Sequence, residues 1–265
     1  MRDYLVFRLY GPMAAWGDIA VGEYRPSFSH PSKSAVIGLL AAALGIRRDE
    51  EERQKDLADS CSYAVRVDAM GSLLRDYHTV QVPSSGTGRN RKIFLTRRAE
   101  LAETELNTIL SSRDYRCDAF YTIAISFNVG APYSAQQLTS ALRRPVFTLY
   151  LGRKSCPLAL PLSPRVVNAA TVKEVFAKAT AADELSSLVQ GESYVVYWES
   201  EDGGYEREQV ITRRDMPRSR ARWQFSERKE NLAIVKRRFK SAAPTVPLGL
   251  ASASGGKRFG SGTVF

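Results

Sequence analysis

Apolar and polar positions at the start of the chain follow the pattern of one strand and then of two helices. The run "DYLVFRLYG" (3–11) is apolar enough for a buried strand, and a glycine and a proline end it. The run "HPSKSAVIGLLAAALG" (30–45) predicts a helix, with a proline near its start and a glycine closing it. Acidic residues open the segment "DEEERQKDLADS" (49–60), which predicts a second, shorter helix, because they favour the positive end of the dipole.

The pattern then continues through four further elements. "SYAVRVDA" (62–69) alternates as a half-buried strand does, and "DAFYTIAISFNV" (118–129) predicts another strand. "SAQQLTSALRR" (134–144) predicts a helix whose first and fourth residues resemble a capping box, and "VFTLYLG" (146–152) predicts a fourth strand. The order strand, helix, strand, strand, helix, strand is that of the ferredoxin-like fold, shared with RNA-recognition (RRM) domains. We therefore expect an α+β protein with a ferredoxin-like core over residues 1–157.

One segment between the second and third core strands does not fit this core. Residues 70–116 include "PSSGTGRNRKIFLTRR", which is rich in glycine and basic residues and poor in core residues. Such a segment is expected to project from the core. We predict an inserted basic β-hairpin, or thumb, at about 70–116.

The pattern changes after residue 157. Residues 171–190 are predicted to be helical, and "SYVVYWES" is predicted to pair with "YEREQVITRRD" as a hairpin around an Asp-Gly-Gly turn. We expect a smaller β-rich region at 158–228. Residues 229–265 end in "ASASGGKRFGSGTVF", whose glycine, serine and basic residues predict a flexible basic tail.

Charge and cysteine content narrow the function classes. Lysine and arginine number 38 and aspartate and glutamate 28, a net charge of +10. The arginine fork suits phosphate oxygens, so a polyanion is the first partner to consider; the alternative is a basic protein that its charge keeps soluble. Three separated cysteines and two histidines give no zinc-finger pattern and no disulfide framework, and we expect no metal or other cofactor. Without a signal peptide or a membrane-spanning run, a cytoplasmic protein with no membrane contact is expected.

Two short segments offer groups for binding nucleic acid. In "GPMAAWG" (11–17), Trp16 either stacks on a base or packs on its own domain, and the sequence leaves both open. In "YLGRKSCP" (150–157), Arg153 and Lys154 suit successive phosphates, Ser155 offers a further hydrogen bond, and Tyr150 offers a ring for stacking. The alternative for this segment is an ordinary exposed turn.

The segment "RDYHT" (75–79) supports two hypotheses. In a binding role, Arg75 pairs with phosphate while Tyr77 and His78 stack. In a catalytic role, His78 helps to activate a ribose 2′-hydroxyl in a metal-independent ribonuclease, and a lysine such as Lys92 stabilises the transition state. Because no second acid or base and no established catalytic motif is visible, we favour a non-catalytic role.

Several blocks together resemble the Cas-five family of CRISPR-associated proteins, in the form found in type I-E Cascade complexes. They are "GPMAAWG", "RPSFSHPSKSAVIGLLAAALGI", "LRDYHTV", "YRCDAFY" and "RRPVFTLYLGRKSCPLALPL", in the order and at about the spacing of that family. The resemblance covers roughly residues 1–165 well and 190–228 loosely.

The resemblance implies a RAMP-superfamily RNA-binding subunit in antiviral defence. Such a subunit grips the 5′ handle of the CRISPR RNA (crRNA), caps the filament of backbone subunits and touches the large subunit that reads the PAM. I-C relatives cut precursor RNA themselves, whereas in I-E systems a separate subunit does so, which favours binding without cutting. The basic tail is longer than the family leads us to expect, and three alternatives stay open for it: a linker, a contact with target DNA, or neither. The implied RNA-binding positions are Trp16, Lys33, Ser34, Arg75, Tyr77, His78, Tyr150, Arg153, Lys154 and Ser155, with Arg89, Arg91 and Lys92 in the thumb.

Overall fold

The computed structural model describes residues 1–83, 93–102, 105–179, 183–189, 191–219, 222 and 224–237. Their elements in chain order are β1 (Arg2–Tyr10), β2 (Met13–Ala14), β3 (Tyr24–Arg25), α1 (Lys33–Leu44), α2 (Glu51–Asp59), β4 (Cys61–Ala69), β5 (Ser72–Pro83), α3 (Arg97–Leu101), β6 (Leu106–Cys117), β7 (Phe120–Phe127), α4 (Ala135–Arg143), β8 (Arg165–Ala169), α5 (Val172–Lys178), β9 (Ser193–Trp198), β10 (Gln209–Ser219) and β11 (Gln224–Lys236). Short 3-10 turns cover Asp183–Leu188 and Glu201–Gly203.

The main sheet has seven strands in the order β10-β11-β9-β4-β7-β1-β8. Side chains of β1 alternate between its two faces. Leu5, Phe7 and Leu9 belong to the core that includes α1 and α4, whereas Tyr4 and Val6 belong to a second core under α5. The sheet is therefore covered on both faces, which explains why β1, β4 and β7 are apolar over most of their length.

Local capping chemistry fixes both ends of α1 and the start of α4. Gly45 ends α1 with a φ of 76°, and Ser134 caps α4 in a full capping box with Gln137, so both of these predictions are confirmed. The cap at the start of α1 was not predicted: Ser32 accepts a hydrogen bond from the Ala35 N–H at 3.2 Å.

The predicted fourth core strand at 146–152 is wrong. The backbone N–H groups of Val146 and Phe147 donate to the carbonyls of Ala43 and Ala42, so this segment satisfies the end of α1 instead of a sheet. The position beside β1 is taken by β8, which pairs with β1 from Arg2↔Ala169 onward.

The region after residue 157 does not form a separate sheet. Strand β9 pairs with β4 on one side and with β11 on the other, so the predicted hairpin of β9 with β10 is wrong. The hairpin joins β10 to β11. Strand β11 runs through the predicted tail boundary at 229, while 238–265 lie outside the described residues. Among the described helices, none is long and apolar enough to cross a bilayer.

Candidate nucleic-acid interface

A long, largely exposed hairpin of β5 and β6 stands where the insertion was predicted. The two strands pair antiparallel over twelve positions, from Ser72↔Cys117 to Pro83↔Leu106. At roughly 3.3 Å per residue the hairpin extends about 40 Å. The opposite edge of β6 pairs with β2 and β3 near its base. The predicted thumb residues Arg89, Arg91 and Lys92 fall outside the described residues.

The hairpin presents two different faces. Directly opposite residues in a sheet share a face, and successive residues alternate. The face of Arg75 and Tyr77 therefore includes their partners Asp114 and Ser112, and we call it the tyrosine face. The other face, called the histidine face, carries Leu74, Asp76 and His78 with Tyr115 and Ser111 opposite Leu74 and His78.

On the tyrosine face, Arg75 is held by a buried carboxylate. Its Nε donates to Oδ1 of Asp114 at 2.9 Å, and its guanidinium lies 5.0 Å from the centre of the Tyr24 ring. The Tyr24 hydroxyl also donates to Asp114. The hydrogen bond from Arg75 holds the pKa of Asp114 below its ordinary value, and the bond to Asp114 raises the pKa of Tyr24. Arg75 remains 56% exposed, so one guanidinium both anchors the hairpin base and faces solvent.

On the histidine face, the turn that contains "YLGRKSCP" meets the base of the hairpin. The guanidinium of Arg153 lies 4.7 Å from the centre of the Tyr115 ring, and its Nη2 donates to the Arg25 carbonyl at 3.5 Å. Its Nη1 is buried and has no hydrogen-bond partner among the described residues. Lys154 and Ser155 are exposed at the tip of the turn.

Close backbone packing fixes this turn against the loop at 11–17. The Ala15 N–H donates to the Leu151 carbonyl at 3.0 Å, and a Cβ on Gly152 would lie 1.9 Å from the Ala15 carbonyl oxygen. Gly152 has a φ of 85°, so glycine is required twice over. Cys156 is fully buried and anchors the turn in the core, while Tyr150 keeps a partly exposed ring.

His78 has a specific partner that the sequence reading did not include. Its Nδ1 lies 2.8 Å from Oδ2 of Asp76, two residues away on the same face. Tyr77 projects from the opposite face, so the predicted grouping of Tyr77 with His78 is wrong. The third member of the proposed catalytic group, Lys92, is outside the described residues.

Two of the predicted RNA-binding side chains are buried. Trp16 is 2% exposed and meets the Tyr121 ring edge-on at 5.6 Å, so of its two alternatives the structure shows packing. The Lys33 side chain is 7% exposed, and its Nζ donates to the Cys61 carbonyl and to Glu199. Ser34 lies beside the Ser32 cap, with the two hydroxyl oxygens 3.0 Å apart. Trp16 therefore has no exposed ring, and Lys33 no exposed ammonium group, with which to bind RNA. Both side chains instead stabilise the fold beneath the candidate interface.

Sequence reasoning missed a buried ionic cluster beneath α1. Glu230 is fully buried, accepts from Arg228 at 2.7 Å and lies 3.5 Å from Arg213. Burial alone would raise its pKa, but His30 and the two guanidinium groups hold it at about 2. Burial lowers the pKa of His30, whose ring stacks on Tyr197 at 3.7 Å. The whole cluster comprises Lys33, Arg213, Arg228, Glu199, Asp215 and Glu230 around His30.

A sequence signal for this cluster existed. Charges recur at every second position in "RRD" of β10 and "RKE" of β11, the spacing of one strand face. Opposite charges at the same spacing on two neighbouring strands indicate an ionic layer that faces inward.

The structure thus brings together part of the predicted site. The 11–17 loop, the turn at Arg153 and the histidine face of the hairpin adjoin one another, whereas Arg75 and Tyr77 lie on the opposite face. The predicted groups therefore do not all lie on one surface of the hairpin.

Comparison with known proteins identifies the family. Residues 4–230 match the family model described as CRISPR-associated protein (Cas_Cas5). The chain belongs to this Cas5 family, which confirms the resemblance found in its motifs.

One curated relative and two solved structures are similar to this chain. Over 170 residues the chain is 38% identical to the CRISPR system Cascade subunit CasD of Escherichia coli (strain K12), an alignment that covers 61% of this chain and 70% of CasD. Its fold is similar to a solved chain described as a CRISPR RNA-guided surveillance complex, with a TM-score of 0.58, 24% identity, and coverage of 88% of this chain and 90% of that chain. A crystal structure of a Cas protein is similar with a TM-score of 0.54 and 25% identity, covering 88% of this chain and 95% of that one.

Proposed function

We propose that the chain is a non-catalytic subunit of a type I-E Cascade surveillance complex that binds and caps the 5′ handle of the crRNA. The observation that carries this proposal is the position of Arg153 and Lys154 at the base of the β5–β6 hairpin. Arg153 is partly exposed, and Lys154 is exposed beside it. Two adjacent cations on a rigid turn suit successive phosphates of one strand.

The fold supports the same proposal. Strands β8, β1, β7 and β4 adjoin in that order, all antiparallel, and α1 and α4 lie in one core with them. We interpret these six elements as a ferredoxin-like core and the β5–β6 hairpin as the thumb. A hairpin that extends about 40 Å reaches well beyond the core. It would join this subunit to the neighbouring backbone subunit, while the large subunit would contact the core.

The partners follow from the similarity to a Cascade subunit. We propose that the chain assembles with crRNA, the backbone subunit and the large PAM-reading subunit in the cytoplasm, without a cofactor. Contact of the basic 238–265 segment with target DNA is part of this proposal, although that segment lies outside the described residues.

Handle binding is tested by replacing both cations of the turn. Arg153→Ala/Lys154→Ala is expected to weaken binding of a handle-containing RNA and to lower the slope of log K against log salt by about 0.7 for each lost contact. Lys173→Ala/Arg207→Ala removes the same two residue types at exposed positions outside the turn and serves as the control. Equal affinities and equal slopes for the two double variants would contradict the proposal.

One observation favours a second candidate function, metal-independent cleavage of precursor crRNA. The carboxylate of Asp76 lies 2.8 Å from Nδ1 of His78, an arrangement that orients an imidazole for acid–base chemistry. Incubation with a repeat RNA in EDTA tests it. Cleavage at one position that is lost in both His78→Ala and Asp76→Asn would establish this activity. If the RNA stays intact, the second candidate function is contradicted and only the binding role remains.

A further inference from the structure

A groove lies between the loop after β2 and the paired strands β10 and β11. It has a volume of about 660 Å³. Its lining residues are Ile19, Arg214, Arg218, Gln224, Phe225 and Ser226, and we call it the Arg214 groove. Among the described residues proposed to grip the RNA handle, none lines it.

The groove is positively charged and concave. Arg214 and Arg218 are both exposed on β10, and Arg214 donates from Nε to the Phe225 carbonyl at 3.3 Å, which fixes its guanidinium along one wall. No carboxylate is among the lining residues. The neighbouring Asp18 accepts from the Ile19 N–H at 2.6 Å, so that carboxylate is engaged with its own turn. The positive charges of Arg214 and Arg218 are therefore able to bind an anionic group.

The opposite wall is apolar and held in place. Ile19 is 68% exposed and Val21, on the same loop, is 79% exposed. The loop is anchored at both ends, because Gly17 bridges to Ser27 and Tyr24 pairs with Ser112 of β6. Exposed aliphatic side chains on an anchored loop beside a groove indicate a surface that another molecule covers.

We propose that the Arg214 groove docks a segment of a partner protein that presents carboxylates beside an apolar side chain. Arginine, aromatic and aliphatic groups around one depression are the composition of protein–protein contact cores. A nucleic-acid backbone would use the two arginines but would leave Ile19 on the apolar wall, and Val21 beside it on the same loop, uncovered. The inference rests on the proposed function to the extent that the chain acts within an assembly, and it assigns one contact surface of that assembly.

The test uses the full chain, tagged and co-expressed with the other subunits of its complex and with crRNA. Arg214→Glu/Arg218→Glu reverses the charge of the groove, and Ile19→Asp disrupts the apolar wall. Arg144→Glu/Arg207→Glu and Val129→Asp are matched controls at exposed positions outside the groove. We expect both groove variants to lose one and the same protein subunit by about ten-fold or more relative to the tagged chain, as for a contact hot spot. The controls are expected to retain it, and thermal melting checks that all variants fold.

Two results would overturn the proposal. In the first, the groove variants recover every subunit in the amounts found with the controls. In the second, the subunits are retained but binding of an unrelated single-stranded RNA by Arg214→Glu/Arg218→Glu falls well below that of its control, which would make the groove a nucleic-acid site. Handle binding is measured separately with the Arg153 and Lys154 variant, so failure of the proposed function and failure of this inference give different results.

Discussion

Arg75 and Asp114 lie directly opposite each other on β5 and β6, and the arginine donates to the buried carboxylate at 2.9 Å. The pair joins β5 and β6 to β3, because Tyr24 of β3 donates to the same carboxylate. A side chain expected to contact phosphate thus has a structural partner within its own chain. Any loss of RNA affinity in an Arg75 variant must be separated from movement of the hairpin base.

A double-mutant cycle measures this pairing. Arg75→Ala and Asp114→Ala are expected to show a small but measurable coupling in the free energy of unfolding, because solvent screens this half-exposed pair. Urea denaturation of the wild type, both single variants and the double variant gives the coupling. His78→Ala combined with Asp114→Ala is the control, since the two side chains lie on opposite faces and their effects should add. Additive effects for Arg75 and Asp114 would mean that the pair does not stabilise the chain.

The division of the site into two faces was readable from the sequence. Once 72–83 is taken as a strand, Arg75 and Tyr77 must project opposite to His78, since successive side chains alternate. The burial of Trp16 and Lys33 was not readable in this way. A tryptophan or a lysine in a loop or at a helix start suits binding and packing equally, and only the position of Tyr121 or Glu199 decides between them.

The same contrast explains the fold. The end of helix α1 was predicted because Gly45 acts on neighbouring backbone groups. The fourth core strand was misplaced because both 146–152 and 165–169 are suited to a strand. The outcome depended on distant groups: the carbonyls of Ala42 and Ala43 bind the first segment, and β1 pairs with the second. Pairing between segments far apart in the chain is not encoded in local pattern.

The glycine of the basic turn gives a sharp test of the packing that positions Arg153. Gly152→Ala is expected to destabilise the chain by at least about 2 kcal/mol, since it combines a left-handed backbone with a clash against Ala15. Gly130 has a similar φ of 81° with nothing within 4 Å of an added Cβ, so Gly130→Ala reports the backbone cost alone, about 1 kcal/mol. Chemical denaturation compares the two. Equal losses would show that the turn does not press on the 11–17 loop.

The buried cluster makes Glu230 a sensitive position for stability. Glu230→Gln keeps the shape of the side chain but removes the charge that faces Arg213 and Arg228, so we expect a loss of about 3 kcal/mol or more. Glu227, exposed on the same strand, provides the control: Glu227→Gln is expected to change the free energy of unfolding by less than about 0.5 kcal/mol. Similar values for the two variants in urea denaturation would contradict the assigned role of the cluster.

The same cluster predicts two stages of acid destabilisation. Burial lowers the pKa of His30, so as pH falls below about 6.5 the unfolded chain takes up a proton that the folded chain refuses, and stability falls. Glu230 has a folded pKa of about 2. Its contribution, roughly 3 kcal/mol for a gap of about two pH units from the ordinary value, is complete above about pH 4.3 and is lost as pH falls from there towards 2.

Unfolding free energies measured between pH 8 and pH 3 separate the two stages by variant. His30→Gln is expected to reduce the loss of stability that begins below about pH 6.5, and Glu230→Gln to flatten the curve below about pH 4.3, because each variant removes one titrating group. His78→Gln is the control for the first stage, since His78 is half exposed beside Asp76 and outside the cluster. If His78→Gln flattens the upper stage and His30→Gln does not, the titration there belongs to the hairpin, and the ionic layer beneath α1 does not govern the response to acid.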